Sequence, residues 1–467
     1  MKRMTILPFL LITILAGSVP AENPRDMRFP ELTFEPAEPV RFETDNGMVV
    51  YFLEYHELPV VAVTAYFKGG DVHDRADKVG LTGLTARLMR TGGAGDRTAD
   101  QIDEDLDYVG ANVGSHSSQD HLSASMNSLM KDLDLTCGIY ADVLMRPAFD
   151  TEKMALEVSN IQDGIRRQND SSWSISRRVF YQTLYNDHPY GQFATLESMG
   201  NINRSDLVAQ HEKFYSPDNC IMSITGDMTL AEARRMVDRH FGSWRRAGIR
   251  IEPIADAAAV YTPGVYYAEK DINQANIRMG HLGLDNKHPD RFAMEVMNYA
   301  LGGGGFSSRM TSRVRTTAGL AYSVGTYHGT RPHNGVFFGY CLTRAEAMSE
   351  ALQMMLDIIN EVRTTGITKE EMEQAKESIL NSYVFNYDTP GELVAARARL
   401  ELRGFPPDQM MRTLESYKAI TLEDCNRVAR EYIDIGKMVI VVTGDRNQFD
   451  KAPDIFGPTT AVSMEIK

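Results

Sequence analysis

At 467 residues the chain is longer than one hydrophobic core usually organises, so two domains of about 200 residues each are expected. Apolar residues make up 43% of the sequence, which is ample for two cores. The 63 acidic and 49 basic residues give a net charge of −14, which argues against nucleic acid and anionic membrane surfaces as partners and mildly favours cationic or neutral ones.

The N-terminus has the three-part pattern of a cleavable secretory signal. Two basic residues precede an apolar run over residues 6–16, and small residues follow up to Ala21. The run is shorter than the ~20 residues of a membrane-spanning helix, and Pro8 interrupts it. We therefore predict a signal peptide over residues 1–21 and a periplasmic or secreted protein without an integral membrane segment. Retention of this segment as an anchor is the alternative.

A helix is predicted over residues 79–91, because Leu81, Leu84 and Leu88 recur at helical spacing and two glycines follow. Further along, His116 and His121 are the nearest pair of histidines. If both lie in one strand, their odd separation places them on opposite faces, so they are expected to be ordinary surface or capping residues. No other histidine spacing is typical of a metal site.

Two segments echo each other across the chain, which indicates one structural unit used twice. Residues 215–227 and 432–445 each contain a turn, an apolar β-rich run and a final Thr-Gly-Asp. Residues between them, at 248–261, follow neither helical nor strand periodicity and are predicted to be a linker. The predicted fold is α+β, with domains over 35–247 and 262–450, each a mainly antiparallel sheet with helices packed on one face.

Local signals mark several helix boundaries. Thr229 and Glu232, and likewise Thr368 and Glu371, have the spacing of a capping box at a helix start. The four cysteines are more than 80 residues apart and include no C-x-x-C motif, so buried free thiols are expected. These cysteines are Cys137, Cys220, Cys341 and Cys425.

Four consecutive glycines at 302–305 interrupt the helical pattern of the second domain. A helix over 289–301 precedes them, and Phe306, Met310 and Val314 predict a second helix that ends at Gly319 before a strand. A phosphate-binding loop is excluded because no Gly-Lys-Ser/Thr follows the glycines. From the residues alone, a structural turn between helices and a functional loop are about equally supported.

The stretch GGGGFSSRMTSRVRTTAGLAY at 302–322 resembles the second-half signature of the pitrilysin/insulinase-type zinc peptidases. In that family a first-half helix carries the motif H-x-x-E-H, two zinc-binding histidines with the catalytic glutamate between them. Here Gly83, Ala86 and Arg87 stand at the motif positions. This chain is similar to a family member that has lost its metal motif.

The resemblance also implies the position of the third zinc ligand, a glutamate on a later helix. Its place falls on Asp163 or Gly164, and Glu157 matches a second acidic residue of the family. One surviving carboxylate cannot hold zinc, so we expect this chain to bind no metal and to have no catalytic residue of its own.

Active relatives carry an arginine and a tyrosine seven residues apart at the junction that follows the glycines, and these reach substrate bound at the zinc of the opposite half. Arg315 and Tyr322 match both identity and spacing. The resemblance therefore implies that Arg315, Tyr322 and the glycines Gly303, Gly304 and Gly305 bind substrate. The alternatives are a helix C-terminal cation for Arg315 and a buried strand aromatic for Tyr322.

Complete peptidases of this type resemble a clamshell of four such domains, and this chain has two. The expected function is that of a non-catalytic, substrate-binding subunit in an exported heterodimer that hydrolyses peptides, with zinc held by a partner of similar size that contains H-x-x-E-H. One alternative is a homodimeric peptide-binding or scaffold protein without a protease role. Another is an autonomous metallopeptidase with unorthodox ligands.

Overall fold

Two six-stranded sheets organise the chain, one in each half of the sequence. The structure, a computed structural model, describes residues 34–466, so the signal peptide predicted over residues 1–21 lies outside the described residues. Among the described helices, none is both long and apolar enough to cross a membrane.

The first sheet has the spatial order β1-β2-β6-β3-β5-β4, and all its neighbours are antiparallel except the parallel pair of β2 and β6. Its strands are β1 Val40–Glu43, β2 Val49–Glu54, β3 Val60–Lys68, β4 Asn112–Ser117, β5 His121–Leu129 and β6 Cys220–Gly226. Every residue of β6 is buried, as expected for a central strand with both faces covered.

The second sheet has the order β12-β7-β11-β8-β10-β9. Its strands are β7 Gly264–Glu269, β8 Gln274–Leu282, β9 Ala321–Gly329, β10 Val336–Arg344, β11 Val439–Gly444 and β12 Thr459–Ala461. Apart from the edge strands β1 and β12, the two sheets have the same order and the same strand directions. The predicted α+β fold of two homologous halves is confirmed, and the echoing segments contain the equivalent strands β6 and β11.

Fourteen α-helices flank these sheets within the described residues. Those that precede the second sheet are α1 Leu81–Thr91, α2 Ala99–Val109, α3 Leu133–Met145, α4 Thr151–Arg166, α5 Ser172–Tyr185, α6 Leu196–Gly200, α7 Arg204–Phe214 and α8 Leu230–Phe241. The others are α9 Arg291–Asn298, α10 Met348–Thr365, α11 Lys369–Tyr383, α12 Pro390–Leu402, α13 Gln409–Ala419 and α14 Leu422–Tyr432. Both predicted capping boxes are present, at the starts of α8 and α11.

One helix from each half packs on the sheet of the other half, and we call these two the exchanged helices. Helix α5 packs on β8 and β11 of the second sheet, and α12 packs on β2, β3 and β6 of the first. Buried side chains fill both contacts. Those around α5 include Ile175, Val179, Phe180, Val336, Phe338, Val439 and Val441, and those around α12 are Tyr51, Tyr66, Ile221, Val394, Ala398 and Leu402. Each sheet is thus covered on one face by its own helices and on the other by an exchanged helix.

Three further details complete the comparison with the sequence. His116 lies in β4 and His121 begins β5, so the assumption that one strand holds both is wrong: a turn separates them. All four cysteines are buried free thiols, as predicted. Residues 248–261 contain no helix or strand. The domain boundaries drawn around this segment stay a prediction.

Candidate functional site

Helix α1 is anchored at its N-terminus by the buried carboxylate of Asp74. The Asp74 carboxylate accepts hydrogen bonds from the backbone N–H groups of Gly80 (2.9 Å) and Thr82 (3.0 Å) and from the Thr82 hydroxyl (2.6 Å). Burial raises the pKa of Asp74 to about 6 despite these bonds. The predicted leucines of the helix are buried. Its orientation on the sheet is therefore fixed at one end by hydrogen bonds and along its length by packing.

The face of α1 that carries Gly83, Ala86 and Arg87 offers no metal ligand. The side chain of Ala86 is buried, and the Ser115 hydroxyl of β4 donates a hydrogen bond to its carbonyl oxygen. The Arg87 guanidinium forms an ion pair with Glu157 of α4, whose side chain is 15% exposed. The structure thus brings together the degenerate motif and the one family acid that the sequence retains, and the partner of that acid is a guanidinium.

The position of the third zinc ligand also offers no side chain that is free to bind the metal. Gly164 has no side chain, and the neighbouring Asp163 forms an ion pair with Arg166 at 2.6 Å. No group of three or more His, Cys, Asp and Glu side chains within residues 34–466 is arranged to hold a metal ion. Because zinc requires three or four nitrogen, sulfur or oxygen ligands, the residues at this site do not fit it.

The glycine loop of the second half lies against the edge strand β9. A π-helical turn at Tyr299–Gly303 continues α9, and a Cβ atom on Gly302 would lie 2.5 Å from the backbone nitrogen of Thr326. Gly305 has a φ of +59°, which favours glycine. Phe292, Val296 and Ala300, spaced four residues apart before the loop, are buried. The glycines therefore permit a close backbone approach between the loop and the strand.

Beyond the loop, the helical segment 309–317 differs from its prediction at one end. Met310 and Val314 are buried as expected, but Phe306 is 71% exposed and lies in a separate 3₁₀ turn at Gly305–Ser307. Gly319, with a φ of +64°, ends the helical segment, and β9 begins two residues later. Phe306 is thus available to contact neighbouring surface side chains.

Arg315 lies between two exposed aromatic rings. Its guanidinium carbon is 4.9 Å from the centre of the Phe306 ring and 5.8 Å from that of Tyr322, distances typical of cation–π contacts. Tyr322 is 77% exposed, which excludes the alternative of a buried strand aromatic. The structure therefore brings the two predicted residues together, with Phe306 as a third member whose spacing had predicted only the start of a helix.

The other arginines of this segment are already paired. Arg309 is almost fully buried and forms ion pairs with Glu371 (2.6 Å) and Glu361 (3.0 Å), and Arg313 pairs with Glu361 as well. Arg315 forms no ion pair within the described residues. Arg309 thus anchors the segment to α10 and α11, while Arg315 keeps its guanidinium N–H groups available. The two candidate groups, around α1 and around Arg315, share no element.

A groove of about 620 Å³ lies beside the glycine loop and was not visible in the sequence. Three of its lining residues have a buried polar atom without a hydrogen-bond partner among the described residues: Asn298 Oδ1, Thr326 Oγ1 and His328 Nε2. Burial lowers the pKa of His328 to about 4, so its imidazole is neutral at physiological pH. The alternation of side chains in β9 places Thr326 and His328 on one face of the strand. That Asn298 lines the same groove is seen only in the folded structure.

Family models match most of the chain in two consecutive segments. Residues 50–195 match the model described as insulinase (peptidase family M16), and residues 201–379 match the one described as peptidase M16 inactive domain. Among curated proteins, the uncharacterized zinc protease ML0855 of Mycobacterium leprae is 25% identical over 72% of this chain and 77% of its own length. The uncharacterized zinc protease YmxG of Bacillus subtilis is 22% identical over 84% and 95%.

Solved structures share the same fold. A peptidase M16 inactive domain from Pseudomonas fluorescens superposes with a TM-score of 0.80 at 24% identity and covers 88% of this chain and 98% of its own. The periplasmic protease PqqL of Escherichia coli has a TM-score of 0.73 at 16% identity. That match covers 95% of this chain and 49% of PqqL. From the fold and the two matched segments together, the chain belongs to the insulinase (M16) peptidase family.

Proposed function

We propose that this chain is the non-catalytic, substrate-binding subunit of an exported heterodimeric zinc metallopeptidase that hydrolyses peptides. A partner subunit of similar size with an H-x-x-E-H motif would hold the zinc ion and provide the general base. This chain would bind no metal and would contribute Arg315, Tyr322 and the glycine loop.

The ion pair of Arg87 and Glu157 carries this proposal. Catalysis by zinc in this family requires neutral imidazoles and an ionised carboxylate around the dication. A guanidinium at a ligand position cannot coordinate zinc, and its positive charge repels the dication. Here that guanidinium satisfies the carboxylate that would otherwise remain beside the metal position. An ion pair thus occupies the position of the metal centre, which supports a non-catalytic role for this half.

The surroundings of Arg315 support a role in binding. Arginine can donate to a peptide carbonyl, and a tyrosine hydroxyl can stabilise the oxyanion that develops when a zinc-bound water attacks. Tyr322 is exposed and Arg315 is half-buried, and the rings of Phe306 and Tyr322 both contact the guanidinium. A site that faces outwards suits substrate shared with a second subunit. The match to half of the PqqL chain supports the same interpretation.

Affinity purification of the full chain from its own host tests the assembly. We expect a co-purifying chain of similar size that contains H-x-x-E-H, zinc in the complex, and neither stoichiometric zinc nor peptide hydrolysis in this chain alone. A homodimer without such a partner would favour the scaffold alternative. Near-equimolar zinc and chelator-sensitive hydrolysis by the isolated chain would favour the autonomous peptidase.

In the assembled complex, Tyr322→Phe should lower kcat by about 10²–10³, because one oxyanion donor is lost. Arg315→Ala should act mainly on KM, because a contact to a peptide carbonyl already exists in the ground state. Arg313→Ala is the matched control in the same segment, and its kinetics should be unchanged. Steady-state kinetics at equal zinc content decide the question, and wild-type values in both test variants would assign all chemistry to the partner.

A further inference from the structure

A second cavity, of about 490 Å³, lies between the two halves of the chain. Its wall includes the end of β3 and the turn after it, the 251–254 segment, the loops at 285–287 and 330–333, and the C-terminus of α12. Ligand sites commonly have volumes of about 300–1,000 Å³ and occur at interfaces between domains. None of these residues belongs to the glycine loop or to the degenerate motif on α1.

Four cations line this inter-half cavity, and none of them forms an ion pair within the described residues. They are Lys68, Lys287, Arg331 and Arg403. Three acids also line it: Asp120 accepts a hydrogen bond from the Tyr190 hydroxyl at 2.5 Å, Asp285 accepts one from a backbone N–H of its own loop, and Glu252 is exposed. In a chain with a net charge of −14, a cavity with this many unpaired cations is a local exception.

Arg331 is the most constrained of the four cations. Its guanidinium carbon lies 5.4 Å, 5.7 Å and 4.7 Å from the ring centres of Tyr181, Tyr185 and Tyr190. The Nη1 atom of Arg331 is buried and has no hydrogen-bond partner. Aromatic contacts of this kind hold a guanidinium in place while its in-plane N–H groups stay available, which is the arrangement that suits bidentate binding of a carboxylate.

Two side chains that line the cavity have lowered pKa values. The pKa of His73, which lines the cavity, is lowered to about 4 by burial and then by the charges of Lys213 and His333. The pKa of Arg403 is lowered by burial and then by the charge of Arg399. Burial is the main cause of both pKa shifts, and the carboxylate of Asp120 opposes both, so the shifts report chiefly that these side chains are removed from water.

The cavity also has apolar walls, formed by Val72, Ile254, Pro332 and Leu402. A simple inorganic anion would leave these walls without contact. A ligand that carries both a carboxylate and an apolar body would use both parts of the lining.

We infer that the inter-half cavity binds a short apolar peptide through its free C-terminal carboxylate, with Arg331 as the bidentate donor and Arg403 and Lys68 as flanking charges. This inference does not depend on the proposed function, because it requires no partner subunit and no catalysis.

Isothermal titration calorimetry on the full chain at low salt tests it, with N-acetyl-Leu-Leu as the probe. We expect the free acid to bind and its C-terminal amide to bind at least about tenfold more weakly, because a charge-assisted bidentate contact is lost. Arg331→Gln and Arg403→Gln should each weaken binding of the acid by a similar factor. Lys131→Gln, which removes a cation whose side chain is 76% exposed on another surface, should leave binding unchanged.

Arg331→Lys keeps the charge but removes the planar fork, so it should also bind the acid more weakly even if Arg331→Gln fails to fold. Equal affinity for acid and amide, or wild-type affinity in both Arg331→Lys and Arg403→Gln, would overturn the proposal. Inorganic phosphate that binds as tightly as the peptide acid would overturn the peptide assignment as well.

Discussion

Arg87 is held at the surface of α1 by a carboxylate that is itself mostly buried. The side chains of Arg87 and Glu157 are 59% and 15% exposed. Coulomb attraction is weakly screened where one partner is shielded from water, so this pair should be stronger than a surface pair. Replacement of Arg87 would leave Glu157 without an ion-pair partner among the described residues.

A double-mutant cycle with Arg87→Gln and Glu157→Gln should give a coupling energy of about 1 kcal/mol in urea unfolding. The exposed pair Arg412 and Asp408, at 62% and 56% exposure, is the control and should give about 0.3–0.5 kcal/mol. Equal coupling in the two pairs would show that the burial of Glu157 adds nothing.

His328 makes stability depend on pH because burial lowers its folded-state pKa to about 4, below the value of about 6.5 expected in the unfolded chain. Between these two values the unfolded chain binds a proton that the folded chain excludes, so stability falls as pH falls. From pH 8 to pH 5 the wild type should lose roughly 1–2 kcal/mol more unfolding free energy than His328→Gln. Urea unfolding across this range measures the difference.

His56 provides a control of opposite sign. It is exposed between Asp227 and Glu54, each 2.7 Å away, and these hydrogen bonds raise its pKa. Its contribution is therefore present below the unfolded pKa and is lost as pH rises through the folded one. His56→Gln should lower stability more at pH 5 than at pH 8. The same pH trend in both variants would contradict these assignments.

At the scale of elements, the exchanged helices couple the two halves. Val394 of α12 is 1% exposed and packs among residues of the first sheet. Val394→Ala should lower the free energy of unfolding by about 2 kcal/mol through lost burial and a residual cavity. Val260→Ala, at a side chain that is 68% exposed, should change it by less than about 0.5 kcal/mol.

Hydrogen exchange locates the effect of Val394→Ala. Amides of β6, more than 160 residues away in sequence, should lose protection together with α12, because the helix covers that strand. Loss of protection confined to α12 would mean that the first sheet is stable without it.

Local signals explain which elements could be predicted from the sequence. The capping boxes at Thr229 and Thr368 depend on residues three apart, and both were found where expected. The spacing of Phe306 predicts that it begins a helix with Met310 and Val314, but it lies in a separate 3₁₀ turn at Gly305–Ser307 and is exposed. Helical periodicity shows that one face of α5 or α12 is buried. It does not show which sheet covers that face, so the exchange was not predicted.

The same difference between local signals and long-range contacts applies to the candidate sites. The spacing of Arg315 and Tyr322 is readable because both residues lie within one short segment, and the structure places the Arg315 guanidinium 5.8 Å from the centre of the Tyr322 ring. The inter-half cavity assembles Lys68, Arg331 and Arg403 from three distant parts of the chain. No single-sequence pattern relates residues at such separations, so only the folded chain shows them together.

At the scale of the whole molecule, neither half should be stable alone. Residues 36–250 would lack α12 on the first sheet, and residues 251–467 would lack α5 on the second, so each would expose an apolar sheet face. We expect each fragment to aggregate or to unfold without a cooperative transition, and co-expression to yield a folded complex of both. A sharp unfolding transition in the isolated 36–250 fragment would contradict this.

The exchanged helices also limit how the molecule can move. A hinge that separated the two sheets would have to withdraw α5 and α12 from the strands that they cover, and each step would expose a cluster of buried aliphatic and aromatic side chains. Residues 36–466 should therefore move as a single rigid body. Entry of a ligand to Arg315, beside the exposed rings of Phe306 and Tyr322, then requires no separation of the two sheets.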